Sequence, residues 1–264
     1  MPSERRFAFG RNWAAFLAGL DESRITEAES SLRDMLELDD LTGLRFLDAG
    51  CGSGLFSLAA RRLGADVVSF DYDPDSVRCG RTLRDRFFPG DTRWDVQQGS
   101  VLDVPYLKSL GAFDVVYSWG VLHHTGDMWQ ALDNICIPLA PNGRLFIAIY
   151  NDQGVASRVW WWVKRTYCGG PVGRAAVCGA YMPYLFLRQA LKSAVTGRNA
   201  FAAYKSHRGM SLVRDWHDWL GGFPFEVARA DEIFGFYRSK DLVLTRLKTT
   251  NANGNNEFVF AAPR

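Results

Sequence analysis

Residues 46 to 54 read Phe-Leu-Asp-Ala-Gly-Cys-Gly-Ser-Gly, an apolar run closed by an acid and followed by glycines at alternate positions. That pattern is a strand turning abruptly into a helix, because glycine adopts backbone angles that a Cβ forbids and lets a ligand approach the main chain. The helix that follows offers unpaired N–H groups at the same point. The chain is thereby committed to a strand–turn–helix unit with a cradle for a nucleotide-like cofactor. A dinucleotide fingerprint needs its third glycine at position 55 or 57, where this chain has Leu55 and Ser57, so the spacing excludes it. Asp48 places a carboxylate near the ligand, which suits a cationic amino-acid group better than a pyrophosphate.

Three further patterns follow in order. Ala65 to Asp71 (ADVVSFD) is a short buried-strand pattern ending in an acid; Gly99-Ser100-Val101-Leu102-Asp103 follows another short strand; Phe113 to Ser118 (FDVVYS) runs into Trp119-Gly120-Val121-Leu122-His123-His124. With the acid-x-Gly-x-Gly-x-Gly turn, these four matches, over about residues 44 to 150, resemble the class I S-adenosylmethionine-dependent methyltransferases. The resemblance implies S-adenosyl-L-methionine as cofactor. It places Asp48, Gly50, Cys51, Gly52 and Gly54 in the cofactor turn, Asp71 on the ribose hydroxyls and Tyr72 beside the adenine. Ser100 and Val101 then fall in the adenine segment, Ser100 replacing the family's usual acid, and Trp119 joins the cofactor set. The loop after the fourth strand lacks an Asn-Pro-Pro-Tyr-type amine-methylation motif and is similar to that of bacterial small-molecule O-methyltransferases of quinone and sugar pathways.

Size and composition fit one catalytic domain plus an elaboration: 264 residues, 47% hydrophobic and 23% charged. Cys51, Cys79, Cys136, Cys168 and Cys178 show no paired metal spacing, and no signal-peptide pattern opens the sequence, so the expectation is a cytoplasmic, metal-free enzyme. Charge is uneven. Residues 154 to 214 hold ten of the 31 basic residues and no acid, which leaves 21 basic against 29 acidic residues elsewhere.

Alternating patterns predict strands at 44–48, 66–71, 94–98, 113–118 and 143–150, with helices at 54–63, 74–87 and 128–139. A helix at 231–240 and strands at 242–249 and 257–262 complete the core. The predicted fold is α/β: a doubly wound, mostly parallel, seven-stranded Rossmann-like sheet with an antiparallel C-terminal hairpin. Residues 1–43 read as N-terminal helices covering the cofactor site, 44–151 and 226–264 as the core, and 152–225 as a helical, basic, aromatic-rich lid insertion over the acceptor.

Methyl transfer to a hydroxyl is an in-line displacement that needs alignment, exclusion of water and removal of a proton. Imidazole titrates in the useful range, so His123 and His124, just beyond the fourth strand, are candidate bases, with His124 preferred. His217, paired with Asp215 or Asp218, is a second candidate. Asn151, Asp215 and Trp13 are candidate acceptor contacts. For each, an ordinary structural role competes: a loop pair, a helix start, a packed tryptophan. The acceptor class is a small-molecule or glycan-type hydroxyl, with an anionic one suited to the basic segment. The alternative is a lipid-linked or quinone-type acceptor reached through peripheral contact with the inner face of a membrane, since Trp160, Trp161 and Trp162 adjoin Lys164 and Arg165. The apolar run 175–187, broken by Gly179 and Pro183, is too short to span a bilayer. A non-catalytic cofactor-binding scaffold is a third reading. No nucleic-acid partner is expected, and oligomeric state is left open.

Overall fold

The computed structural model describes residues 17, 19–196, 212–252 and 254–263. Helix α1 (Glu22–Leu36) starts where the Asp21 carboxylate accepts the Arg24 N–H, and precedes β1 (Arg45–Ala49). The core continues through α2 (Leu55–Arg62), β2 (Asp66–Asp71), α3 (Pro74–Phe87), β3 (Trp94–Gln98), α4 (Val104–Ser109), β4 (Phe113–Trp119), α5 (Met128–Asn134) and β5 (Leu139–Tyr150). Helices α6 (Val155–Tyr167), α7 (Pro171–Thr196) and α8 (Leu212–Gly221) intervene before α9 (Ala230–Arg238), β6 (Val243–Lys248) and β7 (Asn255–Ala261).

The seven strands run in the order β3-β2-β1-β4-β5-β7-β6, all parallel but β7, which lies antiparallel between β5 and β6. This is the predicted sheet. Strands β1 and β4 are apolar on both faces because both faces are covered. Leu32, Leu58, Val77 and Trp94 pack one side; Leu107, Leu132, Ile233 and Tyr237 pack the other. Strand order reverses between β1 and β4, and the C-terminal edge at such a reversal is the usual binding position in open α/β sheets.

Several elements differ from the sequence expectation. Helix α4 was not anticipated; its cap is Asp103, whose carboxylate accepts the Tyr106 N–H, and Pro105 sits in the first turn, where no amide is needed. Helix α5 stops at Asn134, whose side-chain amide reaches across to the Val101 carbonyl at 3.0 Å. Strand β5 starts at Leu139, not 143, and a register slip between Phe113 and Val115 absorbs the extra residues. Strand β7 starts at Asn255, inside the predicted turn. Helix α7 runs unbroken through Gly179 and Pro183.

Helices α6 to α8 hold a small core of their own, with Tyr167, Val177 and Leu220 buried together. The chain leaves and rejoins the sheet at one place. Asn151 and Ala228 form a parallel bridge, and Ala228 donates its N–H to the Tyr150 carbonyl at 3.0 Å.

Candidate functional site

The turn after β1 is pinned from below and from the side. The N–H groups of Gly50 and Cys51 both donate to the Phe70 carbonyl of β2, at 2.8 and 3.0 Å. Gly52 donates its N–H to Asp71 Oδ2 at 2.9 Å, and Asp71 Oδ1 accepts the Asp73 N–H at 2.8 Å. Asp71 thus ties the tip of the turn to the end of β2. Gly50 and Gly54 have φ of +84° and +82°, and packing adds a second demand. A Cβ would lie 2.4 Å from the Val121 side chain at Gly50 and 3.0 Å from the Gly80 backbone at Gly54. Sequence reasoning assigned those glycines to ligand approach; here they let the β4 loop and α3 close on the turn.

Asp48 lies beneath the turn, buried, accepting from Ser57 Oγ at 2.5 Å. Ser57 accepts in turn from Ser69 Oγ, and Ser69 from Trp94 Nε1, a chain of bonds running across β1, β2 and β3. Burial pushes the Asp48 carboxyl up to about 7, opposed by the Ser57 hydroxyl and reinforced by the charge of Asp71. Two acids at the base of a glycine turn fit a cationic group and disfavour a pyrophosphate. Cys51 is buried, which pushes its thiol well above the usual range and leaves it a small space-filling residue. Around the rim, Tyr72 and Trp119 are exposed at the ends of β2 and β4. Ser100 Oγ accepts the Leu102 N–H, and Val101 is buried with its carbonyl bonded to Asn134.

His123 and His124 occupy a short 3-10 turn, Leu122–His124, past β4. Their bonds fix opposite tautomers. His123 Nδ1 accepts the Tyr150 N–H at 3.3 Å, which puts the ring proton on Nε2, a buried nitrogen without a hydrogen-bond partner. Burial first, and then the nearby charges of His124 and Lys164, hold His123 well below its ordinary value, so the ring is neutral. His124 Nδ1 lies 2.6 Å from the Pro224 carbonyl, which can only accept, so His124 carries its proton on Nδ1 and its lone pair on Nε2. The two rings face the phenol of Tyr150, with centroids 4.0 and 5.4 Å away. Phe225 and Trp219 extend the aromatic wall from Tyr150 into the inserted helices.

A model of the methyltransferase domain matches residues 20–194, well over half of the chain. The chain belongs to the methyltransferase-domain family. The chain is 34% identical over 117 residues to a ubiquinone biosynthesis O-methyltransferase of Xanthomonas oryzae pv. oryzae (strain PXO99A), covering 44% of this chain and 47% of that protein. It is 34% identical over 119 residues to the protein of the same name from Azorhizobium caulinodans, covering 45% of each. The chain spans about half the length of the curated relatives it matches. In fold it is similar to the magnesium protoporphyrin IX methyltransferase of Synechocystis PCC 6803, solved with bound SAH, with a TM-score of 0.55, 12% identity and coverage of 90% and 83% of the two chains. It is also similar to the N-methyltransferase NodS of Bradyrhizobium japonicum WM9, with a TM-score of 0.53, 15% identity and coverage of 98% and 100%.

Other predicted site residues go elsewhere. Asn151 spends its side chain on the C-terminal hairpin, donating to the Thr250 carbonyl at 2.9 Å and accepting from Asn256 at 3.1 Å. It therefore has a structural partner at each end of its amide. Asp152 accepts the Gly154 N–H and leads the chain into α6. His217 Nδ1 meets the Tyr167 hydroxyl at 2.7 Å, on the α6–α8 seam. Burial and Arg174 lower its pKa. Trp13, and the side chains of Asp215 and Asp218, lie outside the described residues. Among the described residues no group of three or more His, Cys, Asp or Glu is placed to hold a metal.

Two residues next to the site were not singled out as individuals. Lys164 is fully buried, donating to the Trp219 carbonyl, with its ammonium 4.3 Å from the Trp219 ring and 5.0 Å from that of Phe225. Burial brings it down to about 7. Glu226 accepts the N–H groups of Gly126 and Met128, and its own N–H donates to the His123 carbonyl. It clamps the β4 loop against the returning chain. By its place in a basic segment Lys164 looks like one more surface base, and only the buried aromatic neighbours reveal otherwise.

Proposed function

We propose that the protein is an S-adenosylmethionine-dependent O-methyltransferase acting on a small-molecule or glycan-type hydroxyl, with His124 as general base. The cofactor, when bound, supplies an electrophilic methyl group on a sulfonium. The glycine turn and Asp48 would hold its amino-acid end and Asp71 its ribose, in keeping with the two acids gathered there. The observation that carries the assignment of roles is the pair of opposed tautomers. His124, with Nδ1–H bonded to Pro224, presents a basic Nε2; His123, with Nε2–H, is a donor. A hydroxyl beside His124 Nε2 can lose its proton there as its oxygen attacks the methyl carbon, while buried His123 accepts the Tyr150 N–H behind it. The sulfonium would supply the leaving group, its sulfur keeping the electron pair of the carbon–sulfur bond. Tyr150, Phe225 and Trp219 supply apolar walls that exclude water. The O-methyltransferase name of the 34% identical relatives favours a hydroxyl as acceptor.

The test is incubation with S-adenosylmethionine and a panel of hydroxylated aromatic acids and sugars, reading S-adenosylhomocysteine release and a one-CH2 mass gain in the acceptor. His124→Ala is expected to lower turnover by about 10²-fold or more with cofactor affinity nearly unchanged. Equal losses in turnover and affinity would assign His124 a purely structural role. Absence of any turnover, with the cofactor bound, would favour the scaffold reading.

A further inference from the structure

Helix α7 presents an unusual surface. Among its described side chains, the exposed ones are apolar, aromatic, glycine or proline, apart from Arg174, Arg188 and Thr196. Val172, Ala176, Ala180, Tyr184, Leu187, Leu191 and Val195 recur every three or four residues, so they form one stripe along the helix, roughly 35 Å long. Val172 is 84% exposed, Leu187 60% and Val195 86%. The opposite side of the same helix is apolar as well: Val177, Cys178, Tyr181 and Met182 pack against α6 and α8. A surface helix ordinarily turns a polar face to water. Contiguous exposed apolar surface of this kind marks a docking face, unlike the scattered exposed residues found on any protein.

Charge decides the occupant. From Gln153 to Thr196 the sequence has no acid, while Arg158, Arg165, Arg174 and Arg188 carry positive charge beside the stripe. Arg165 lies over the rings of Trp161 and Trp162, at 4.9 and 5.5 Å, and Trp162 is 61% exposed. Val155 and Val159 continue that exposed row on α6. Stacking this face on a second copy would bring like charges together with no acid to offset them. An anionic bilayer offers both what the stripe needs and what the arginines need: acyl chains at the depth of the apolar residues, and negative headgroups at the depth of the guanidinium and indole groups. Among the described residues no helix is long and apolar enough to cross a membrane, so α7 would lie along the surface.

We propose that the exposed faces of α7 and α6 seat the protein on an anionic lipid surface, the α7 stripe sinking below the headgroups and the arginines engaging lipid phosphates. This goes beyond methyl transfer and needs neither cofactor nor acceptor, so each proposal can fail without the other. The experiment is co-sedimentation of the full-length protein with vesicles of phosphatidylcholine alone or mixed with phosphatidylglycerol, at low and high salt. Binding is expected to the mixed vesicles, and to weaken with salt. Arg188→Gln should lower the partition coefficient about fivefold, and Leu187→Glu about tenfold or more. Both positions are exposed, and unchanged circular dichroism and thermal unfolding would show that the variants remain folded. Equal binding to both vesicle types, or to neither, would overturn the proposal. So would a dimer in analytical ultracentrifugation that Leu187→Glu abolishes, because the stripe would then belong to a second copy.

Discussion

Asp48 occupies a place where a carboxylate is costly, buried under a turn and with a second acid at the end of the neighbouring strand. Its folded pKa of about 7 lies above its ordinary value of 3.8, so the folded protein holds an extra proton between those limits. The stability this group contributes is therefore present at low pH and falls as pH rises from about 4 to about 7. Asp48→Asn keeps the shape and an oxygen for Ser57 but cannot ionise. At about pH 8 it should be more stable than the native chain by about 2 to 4 kcal/mol in urea unfolding, with the difference closing below about pH 4. A difference that did not change with pH would place the charge of Asp48 in solvent. The cost has a use under the proposed function, because a cation bound beside Asp48 favours the charged form and recovers part of it. Asp48 and Asp71 were legible in the sequence because an acid at the end of an apolar run has few other reasons to be there. The division between His123 and His124 was not, since it depends on the carbonyl of Pro224, 100 residues from His124, and the amide of Tyr150, 27 residues from His123, separations that no local pattern records.

Helix α6 is tied to α8 by three bonds that act at the same seam. Lys164 donates to the Trp219 carbonyl, Cys168 Sγ to the Gly221 carbonyl at 3.0 Å, and the Tyr167 hydroxyl meets His217. Lys164 and Cys168 are one turn apart, so α6 serves the last carbonyls of α8, which have no partner within their own helix. Burying an ammonium to do this lowers Lys164 from 10.5 to about 7, although the Trp219 and Phe225 ring faces favour its charged form. A lowered amine makes the folded state bind fewer protons than the unfolded chain between those values, so stability rises with pH across that window and is lower below it. Lys164→Met should flatten this slope: between about pH 7 and 9.5 the native chain should gain on the order of 1 to 3 kcal/mol that the variant does not. Parallel slopes in urea unfolding would show that the amine is hydrated. Long amphipathic or buried elements such as α3 and β2 could be read from their periodicity. Helix α4 could not, being six residues long, although Asp103 and Pro105 signal its start. Helix α7 continues through Gly179 and Pro183, whose cost is local and is outweighed by the packing of Val177, Tyr181 and Met182.

At the scale of the whole molecule, the inserted helices form an excursion from a sheet that closes without them. Tyr150, Asn151 and Asp152 lie beside Ala228, joined by the Ala228 N–H to the Tyr150 carbonyl and the Asp152 N–H to the Ala228 carbonyl at 3.1 Å. The ends of the excursion are therefore neighbours, and a short linker can replace what lies between them. The returning strand segment must stay, because Pro224 holds His124 and Glu226 holds Gly126 and Met128. Replacing residues 155–221 by a short Gly-Ser linker should leave a cooperatively unfolding core, since neither face of the sheet draws its main apolar cluster from α6, α7 or α8. Its loss of Trp219 from the wall beside Tyr150 should abolish acceptor turnover, while calorimetry should find cofactor affinity within about threefold of the native chain's, a difference of about 0.6 kcal/mol. The same deletion removes all ten basic residues of the inserted segment, and with them the apolar stripe, so vesicle binding should vanish together with turnover. If the shortened chain failed to fold, the inserted helices would have to be counted as part of the core, and the charge asymmetry between them and the sheet would be a feature of one cooperative unit.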